Sequence, residues 1–413
     1  VSGFSFNQTT VSCDGISLAA IADKEGTPLY VYSAALIRER YAQINHAFGD
    51  HPHRVHYALK ANSTLAIARL LQDLGGGVDA NSGGEIAVAL RAGFEPCDIV
   101  FTGVGKTEAE LEQAVALGVH TINAESAGEL ERIDRLACAH GRRARVALRV
   151  NPNIDAVSHP NISTGCRSHK FGVPLEQALA VCRQGAARDG LQLVGLHFHI
   201  GSQMLVVDPI RRAAATAARL AQKLLSEGIQ LEHLDLGGGL GISYDGSTAL
   251  DAGTYARVLL DEVASTKLNL IVEPGRWIVG PAGVLVARVV DVKRQDVDRY
   301  FVVLDAGMSE LMRPALYKAF HQIRPLSPGL GDMVTCDVVG PICETSDVMG
   351  IGRTMPLPEV GDLLAVLDTG AYGAAMASNY NRHPLPAEVM VEEGRWRVVR
   401  RRQTVDDLLA QEE

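Results

Sequence analysis

From about residue 54 to 276 the chain alternates short β-branched and aliphatic runs with longer stretches whose apolar positions recur at helical spacing. The runs that read as strands are Arg54–Leu59, Gly77–Ala80, Asp98–Thr102, His120–Ala124, Arg145–Val150, Val194–Ile200, His233–Leu236 and Leu268–Val272. Between them, Leu65–Leu74, Gly84–Ala92, Glu108–Leu117, Ala127–His140 and Arg211–Glu227 read as helices. Repeated strand–helix alternation predicts an α/β fold with a parallel sheet covered by helices. Strands in this number, over this length of chain, match a TIM (β/α)8 barrel, with a doubly wound open sheet as the alternative.

Beyond Pro281 the pattern changes. Val284–Val292, Tyr300–Leu304, Met333–Val339, Leu363–Leu367, Glu388–Glu392 and Trp396–Arg400 are strand-like, and Glu393-Gly394 suits a hairpin turn between the last two. Phe4–Phe6 and Val11–Cys13 also read as strands, Ile16–Ala22 as a short helix, and Leu29–Tyr32 as another strand. The expected organisation is a barrel over residues 33–280 and a mainly-β domain from 1–32 with 281–413, in which the first strands join the C-terminal sheet.

Composition narrows the class without choosing a reaction. At 413 residues, 47% hydrophobic and 21% charged, the chain has the make-up of a soluble globular enzyme of two or three domains. A net charge of −9 leaves no broad basic footprint for nucleic acid. The basic run Arg395–Arg402 alternates with Trp396, Val398 and Val399 and reads as a solvated strand face. The seven cysteines are scattered and form no CxxC pair, which fits free thiols in a reducing compartment. No uncharged apolar run reaches the roughly 18 residues a membrane span needs, and Val1 to Asn7 lacks a signal-peptide pattern. The expected location is the cytoplasm.

In a barrel, reactive groups sit where strands end. The first strand ends at Lys60, either an ordinary solvated lysine or one whose pKa is lowered enough to form Schiff bases with carbonyl compounds. The second runs into Asp79-Ala80-Asn81-Ser82-Gly83-Gly84-Glu85, the fourth into Asn123-Ala124-Glu125-Ser126, and the fifth carries Arg149. His197 and His199 lie two apart on the sixth, which would suit two ligands of one metal, or one imidazole against a flat cofactor and one core histidine. Gly237, Gly238 and Gly239 end the seventh, where barrels commonly bind phosphate, and Arg276 could supply a guanidinium nearby. Glu273 ends an apolar strand and needs a partner, either a salt bridge to Arg276 or Arg149 or a cofactor ring nitrogen.

Together, Tyr57-Ala58-Leu59-Lys60-Ala61-Asn62, His197-Phe198-His199-Ile200-Gly201-Ser202-Gln203 and Glu273-Pro274-Gly275-Arg276 resemble the pyridoxal-phosphate decarboxylases with an alanine-racemase-like barrel. Asp305-Ala306-Gly307-Met308, Arg313-Pro314-Ala315-Leu316-Tyr317, Gly340-Pro341-Ile342-Cys343-Glu344-Thr345-Ser346-Asp347 and Gly370-Ala371-Tyr372 look like the members acting on diaminopimelate. The match runs from about residue 25 to the end.

The resemblance implies pyridoxal 5'-phosphate anchored on Lys60, His199 stacked on its ring, and Glu273 on its pyridine nitrogen. It also implies Asp79 and Gly275 beside the cofactor, and Gly237, Gly238, Gly239, Ser202, Arg276 and Tyr372 around the phosphate. Arg276, Arg313 and Tyr317 would bind the substrate's distal carboxylate, with Glu344 near its distal amine and Tyr372 also a substrate-binding residue. Cys343 would be the proton donor, delivered with Glu344 from the partner of a homodimer. A glutamate at the ring nitrogen favours decarboxylation, since a protonated ring takes up more of the carbanion's charge. The implied activity is decarboxylation of meso-2,6-diaminopimelate to L-lysine and CO2, the last step of lysine synthesis, with no metal, nucleic acid or membrane involved. Related decarboxylases acting on carrier-bound glutamate, siderophore precursors or carboxynorspermidine share most of these motifs. A metal-dependent barrel hydrolase built on His197 and His199, and a catalytically dead regulatory copy, are the readings from other classes. The segment Asp155–Lys170, with His159-Pro160 and Gly165, is a candidate for closing over the site.

Overall fold

A computed structural model describes residues 3–6, 11–156, 164–166, 169–296, 299–327 and 331–412, so much of the candidate closing segment lies outside the described residues. The chain groups into two compact units, Tyr41–Ile242 with Thr248–Trp277, and Val1–Arg40 with Ser243–Ser247 and Ile278–Glu413.

The first unit is a closed barrel. Its strands are His53–Ala58, Gly77–Ala80, Ile99–Phe101, Thr121–Ala124, Ala144–Asn151, Leu191–His197, His233–Asp235 and Asn269–Val272. Each pairs in parallel with the next, and the last returns to the first through Leu270↔His53, Ile271↔Arg54 and Val272↔Val55. That ring excludes the open doubly wound sheet. Val55, Tyr57, Val78, Val100, Ile122, Leu148 and Leu196 are all buried, so the aliphatic runs form the core. The polar residues after strands two and four begin helices: Ser82 accepts from the Glu85 amide and Ser126 from the Glu129 amide. Gly93 and Gly118 end two helices in the left-handed conformation, at φ 103° and 68°.

Two sequence expectations need correcting. The sixth strand ends at His197 and not at Ile200, so His199 belongs to the following loop. Lys60 lies past the first strand, in a single 3-10 turn over Leu59–Ala61.

At the barrel's other end His56, His120 and His233 form a row, with ring centroids 5.6 Å and 5.4 Å apart. Gly77 and Gly195 make room for it, since a Cβ at Gly195 would sit 2.5 Å from the His233 ring. Burial lowers His56 to about 3, helped by His120 and Arg54, and lowers His120 to about 4, helped by Arg145 and Arg54. These rings fold neutral, so their contribution is complete above the ordinary value of 6.5 and is lost as pH falls toward 4. Denaturant unfolding should therefore show a stability loss of about 2 kcal/mol or more from pH 7 to pH 5. His120→Gln should flatten that dependence; an unchanged slope would remove His120 from its cause.

The second unit is mainly β. One sheet runs in the order Val348–Pro356, Met333–Val339, Arg299–Leu304, Gly283–Asp296, Leu29–Ser33, Ala387–Glu392, Arg395–Arg400. Leu363–Val366 pairs with Gly283–Asp296 and with Ile323–Pro325. Phe4–Phe6 and Val11–Cys13 do not join it but form a separate three-stranded sheet with Ile16–Ser17. The helix expected from Ile16 starts at Leu18, where the Ser17 side chain accepts from the Ala20 amide. Glu393 and Gly394 turn the last hairpin at φ 50° and 74°. Among the described residues no helix is long and apolar enough to cross a membrane.

Candidate active site

Lys60, Asp79, His199, Ser202, the three glycines, Glu273 and Arg276 all come from the C-terminal ends of barrel strands or the loops that follow them. Lys60 Nζ lies 3.1 Å from Asp79 Oδ2, an oxygen that also accepts from Asn81 Nδ2 at 2.9 Å. The Lys60 side chain is 32% exposed while Asp79 is fully buried, so a partly accessible lysine rests on a buried carboxylate. Gly275 lets the turn after the eighth strand pack on the Lys60 turn: a Cβ there would lie 2.9 Å from Ala61 Cβ.

The glycine loop packs too tightly for side chains. Gly237 and Gly239 have φ of 63° and 103°, and a Cβ at Gly238 would fall 2.1 Å from the Glu273 carbonyl oxygen. His199 Nδ1 accepts from the Gly238 amide at 3.2 Å, which requires a neutral ring. Burial, with Lys60 and Arg149 nearby, keeps that ring well below the usual histidine range. Met204 donates to the Gly239 carbonyl at 2.8 Å, so the loop carrying Ser202 is stitched to the glycines. Arg276 donates to Ser202 Oγ at 3.0 Å and 3.3 Å. Ser202, Arg276 and the glycines therefore form one cradle, with Ser202 and Arg276 as its side-chain donors for an anion, since the Gly237 and Gly238 amides are committed to Asp235 and His199.

His197 and His199 stack in nearly parallel planes 6.5 Å apart, and His199 is turned to the glycine loop, so the two rings do not converge on one ion. The group that does come together is His197, Asp235 and Glu273, all buried, with one donor atom from each within 4.8 Å of the others. His197 Nε2 is 3.5 Å from Glu273 Oε2. Burial opposes ionisation of Glu273, but His197 and Lys60 outweigh it and hold its carboxyl below the usual range. Neither salt bridge expected for Glu273 is its main contact: Arg149 pairs with Glu125 at 2.5 Å and Arg276 bonds Ser202. Asp235 escaped the sequence reading, because one acid inside an apolar strand carries no motif. Its only signal was its place two residues before the glycine loop.

The β-rich unit holds the other candidates. Arg313 opens the single helical turn Arg313–Tyr317, which puts Tyr317 on the same face one turn later. The guanidinium is buried, lies 4.5 Å over the Tyr244 ring, and bonds His321 Nε2 at 2.6 Å. His321 Nδ1 bonds the Leu367 carbonyl at 2.7 Å, so Nε2 is the accepting nitrogen and Arg313 the donor. Tyr244, tens of residues before Arg313, and His321, eight residues after it, carry no motif that ties them to it in the sequence.

Cys343 and Glu344 lie exposed on the loop 340–347. Asp347 anchors that loop by accepting from the Ile342 amide at 2.7 Å and the Met308 amide at 2.5 Å. A Cβ on Gly307 or Gly340 would lie 2.4 Å from that carboxylate, so the Asp305-Ala306-Gly307-Met308 motif is the loop's seat. Glu344 is hydrogen-bonded by Ser346 and interacts with the Tyr380 hydroxyl. Tyr372 is half-buried, at φ 56°.

A closed barrel with a lysine, a glycine cradle and a buried carboxylate at its C-terminal end defines a cofactor-dependent barrel enzyme. Residues 34–280 match the pyridoxal binding domain of the pyridoxal-dependent decarboxylases. A diaminopimelate decarboxylase of Neisseria meningitidis serogroup A is 44% identical over 403 residues, covering 98% of this chain and 99% of its own. That of Pseudomonas aeruginosa is 43% identical over 409 residues, covering 99% and 98%. The crystal structure of the Helicobacter pylori diaminopimelate decarboxylase complexed with L-lysine superposes with TM-score 0.93 at 41% identity, covering 95% of this chain and 98% of that one. The chain belongs to the pyridoxal-dependent decarboxylases, and within them to the diaminopimelate decarboxylase family.

Proposed function

We propose that this protein decarboxylates meso-2,6-diaminopimelate to L-lysine and CO2, the last step of lysine synthesis, as a cytoplasmic homodimer. The observation that carries the reading is its full-length similarity to diaminopimelate decarboxylases, one of them solved with L-lysine bound. The test is product identification. Purified holoprotein given meso-diaminopimelate should release CO2 and L-lysine. Efficient turnover of another amino acid, with none of this one, overturns the reading and points to a relative with a different substrate.

The barrel residues fit pyridoxal phosphate. The Lys60 side chain is partly exposed beside a buried carboxylate, the glycine cradle leaves no room for a Cβ, and both Glu273 oxygens are buried without a hydrogen-bond partner among the described residues. Bound there, the cofactor supplies a sink for the electron pair left on Cα when CO2 departs. Lys60 would anchor it, with Asp79 orienting the amine. Gly237, Gly238, Gly239, Ser202, Arg276 and Tyr372 would hold its phosphate, with Gly275 beside the cofactor and His199 as the ring's stacking partner. Glu273 would keep the ring nitrogen protonated.

The β-rich unit reads as the specificity and assembly domain. In this reading residues 33–280 form the cofactor domain, and 1–32 with 281–413 carry substrate and dimer contacts. Arg313, Tyr317 and Arg276 bind the distal carboxylate, which a guanidinium grips through two parallel hydrogen bonds, Glu344 takes the distal ammonium, and Tyr372 also contacts the substrate. Cys343, delivered with Glu344 from the partner subunit, gives its Sγ proton to Cα once the Cα–carboxylate bond has broken. The exposure of Cys343 and Glu344 on that loop supports a shared site.

Arg313→Lys keeps the charge but loses the fork. The Michaelis constant for meso-diaminopimelate should rise roughly 10- to 100-fold, the equivalent of a charged hydrogen bond, with a much smaller change in kcat. Steady-state kinetics check this, and an unchanged constant would remove Arg313 from substrate binding.

A further inference from the structure

A buried carboxylate beside a ring nitrogen does its work only while ionised, yet burial pushes carboxyl groups toward the neutral form. Two such groups side by side cannot both stay charged, and one of them takes a proton. Glu273 has such a neighbour. Asp235 on the seventh strand is the direct register partner of Ile271, and Glu273 stands two residues further on, just past the end of the eighth strand. On the other side Asp235 is the register partner of His197 on the sixth. Three adjacent strands thus bring His197, Asp235 and Glu273 into one buried cluster, with one polar atom of each within 4.8 Å of the others.

The surroundings of the two acids differ. Glu273 faces His197 Nε2 at 3.5 Å and feels the Lys60 amine, both of which favour its anion. Asp235 faces Glu273, with Asp79 also near, so negative charge meets it from both. Tyr255, buried beside the pair, adds no positive charge. One Asp235 oxygen accepts from the Gly237 amide at 2.9 Å, while Oδ2 is buried and has no hydrogen-bond partner among the described residues. Burial together with Glu273 raises the Asp235 carboxyl well above its usual range.

We propose that Asp235 and His197 are positioning residues for Glu273: Asp235 keeps the one proton the two carboxyl groups share, leaving Glu273 as the anion, and His197 directs its Nε2–H at that anion. Asp235 then does two jobs, since it also holds the first glycine of the phosphate cradle. It couples the orientation of the cradle to the charge at the ring nitrogen. This rests on the reading of Glu273 as the partner of that nitrogen.

The test compares Asp235→Asn with Asp235→Ala in the holoprotein, reading the cofactor dissociation constant by equilibrium dialysis and fold by circular dichroism. Asparagine copies a protonated aspartate, with an acceptor for Gly237 and a donor for Glu273 but no charge. It should hold the cofactor within about threefold of the parent, while alanine, which lacks both bonds, should weaken it about tenfold or more. Equal weakening by the two variants overturns the proposal, because Asp235 would then be needed as an anion. Isotope-edited infrared spectra of the unsubstituted holoprotein, labelled at aspartate, give a readout independent of any variant's folding. A protonated-carboxyl band that disappears in Asp235→Asn supports the assignment, and its absence from the parent overturns it. For His197, glutamine should retain cofactor affinity better than leucine; equal effects remove His197 from the unit. Glu273→Gln separates the two levels: if it leaves cofactor affinity and kcat unchanged, the ring-nitrogen reading itself fails, whatever the Asp235 variants show.

Discussion

Lys60→Ala is expected to abolish the visible absorbance of the bound cofactor and to cut decarboxylation to below roughly one thousandth of the parent. The size follows from the geometry. Lys60 offers an amine at the barrel's C-terminal end, one that Asp79 pins at 3.1 Å and that leaves 32% of its side chain accessible. Alanine removes the anchor and leaves Asp79 buried with only the Asn81 amide on that oxygen. An absorption spectrum of the purified variant, reconstituted with cofactor, decides the matter. A retained cofactor band would move the anchor to another lysine. The buried Lys106 is a poor substitute, because its amine already donates to Gly103, Asn123 and Glu129.

Cys343→Ala should lower kcat by about 10²- to 10⁴-fold, the usual worth of a positioned proton donor, while the cofactor dissociation constant stays within about threefold. The split is expected because Cys343 sits on an exposed loop seated by Asp347 on Gly307 and Met308, none of which belongs to the cofactor cradle. The loop should keep its place without the thiol. Steady-state rates and cofactor titration on the same preparation give both numbers. Equal loss of turnover and cofactor affinity would make Cys343 a structural residue. Mixing Cys343→Ala with Lys60→Ala protomers adds a check on assembly. A shared site predicts partial recovery of activity in the mixture, whereas a site complete within one chain predicts none.

Much of the fold was legible because periodicity is local. Aliphatic runs of strand length, separated by helices whose caps can be read as Ser-x-x-Glu, mark the barrel strands without reference to anything distant. The boundaries were less legible. The sixth strand reads through to Ile200 because Phe198 and Ile200 continue the apolar pattern, and both are buried, but the register with its neighbours stops at His197. Val348–Pro356 was missed because Gly350 and Gly352 dilute the alternation, and it becomes a strand by pairing with Met333–Val339. The first two strands were assigned to the wrong sheet, since nothing in a three-residue run names its partner.

The site divides in the same way. Lys60, the glycine run, Glu273, Arg276, Arg313 and Cys343 were readable as residue types in a characteristic order along the chain. By itself the sequence determined the strand–helix repeat, the polar ends of the strands and the motifs that carry the chemistry, because all of these are relations between near neighbours. Only the tertiary structure decided that Glu273 faces His197 and Asp235 instead of an arginine, that His199 turns to Gly238, and that Arg313 is held by Tyr244 and His321. Except for Arg313 and His321, eight positions apart, those pairings join residues tens of positions apart, which strand register and chain folding bring within a few ångströms. Electrostatic energy is set by that distance and by burial, and neither is a property of the chain read in order.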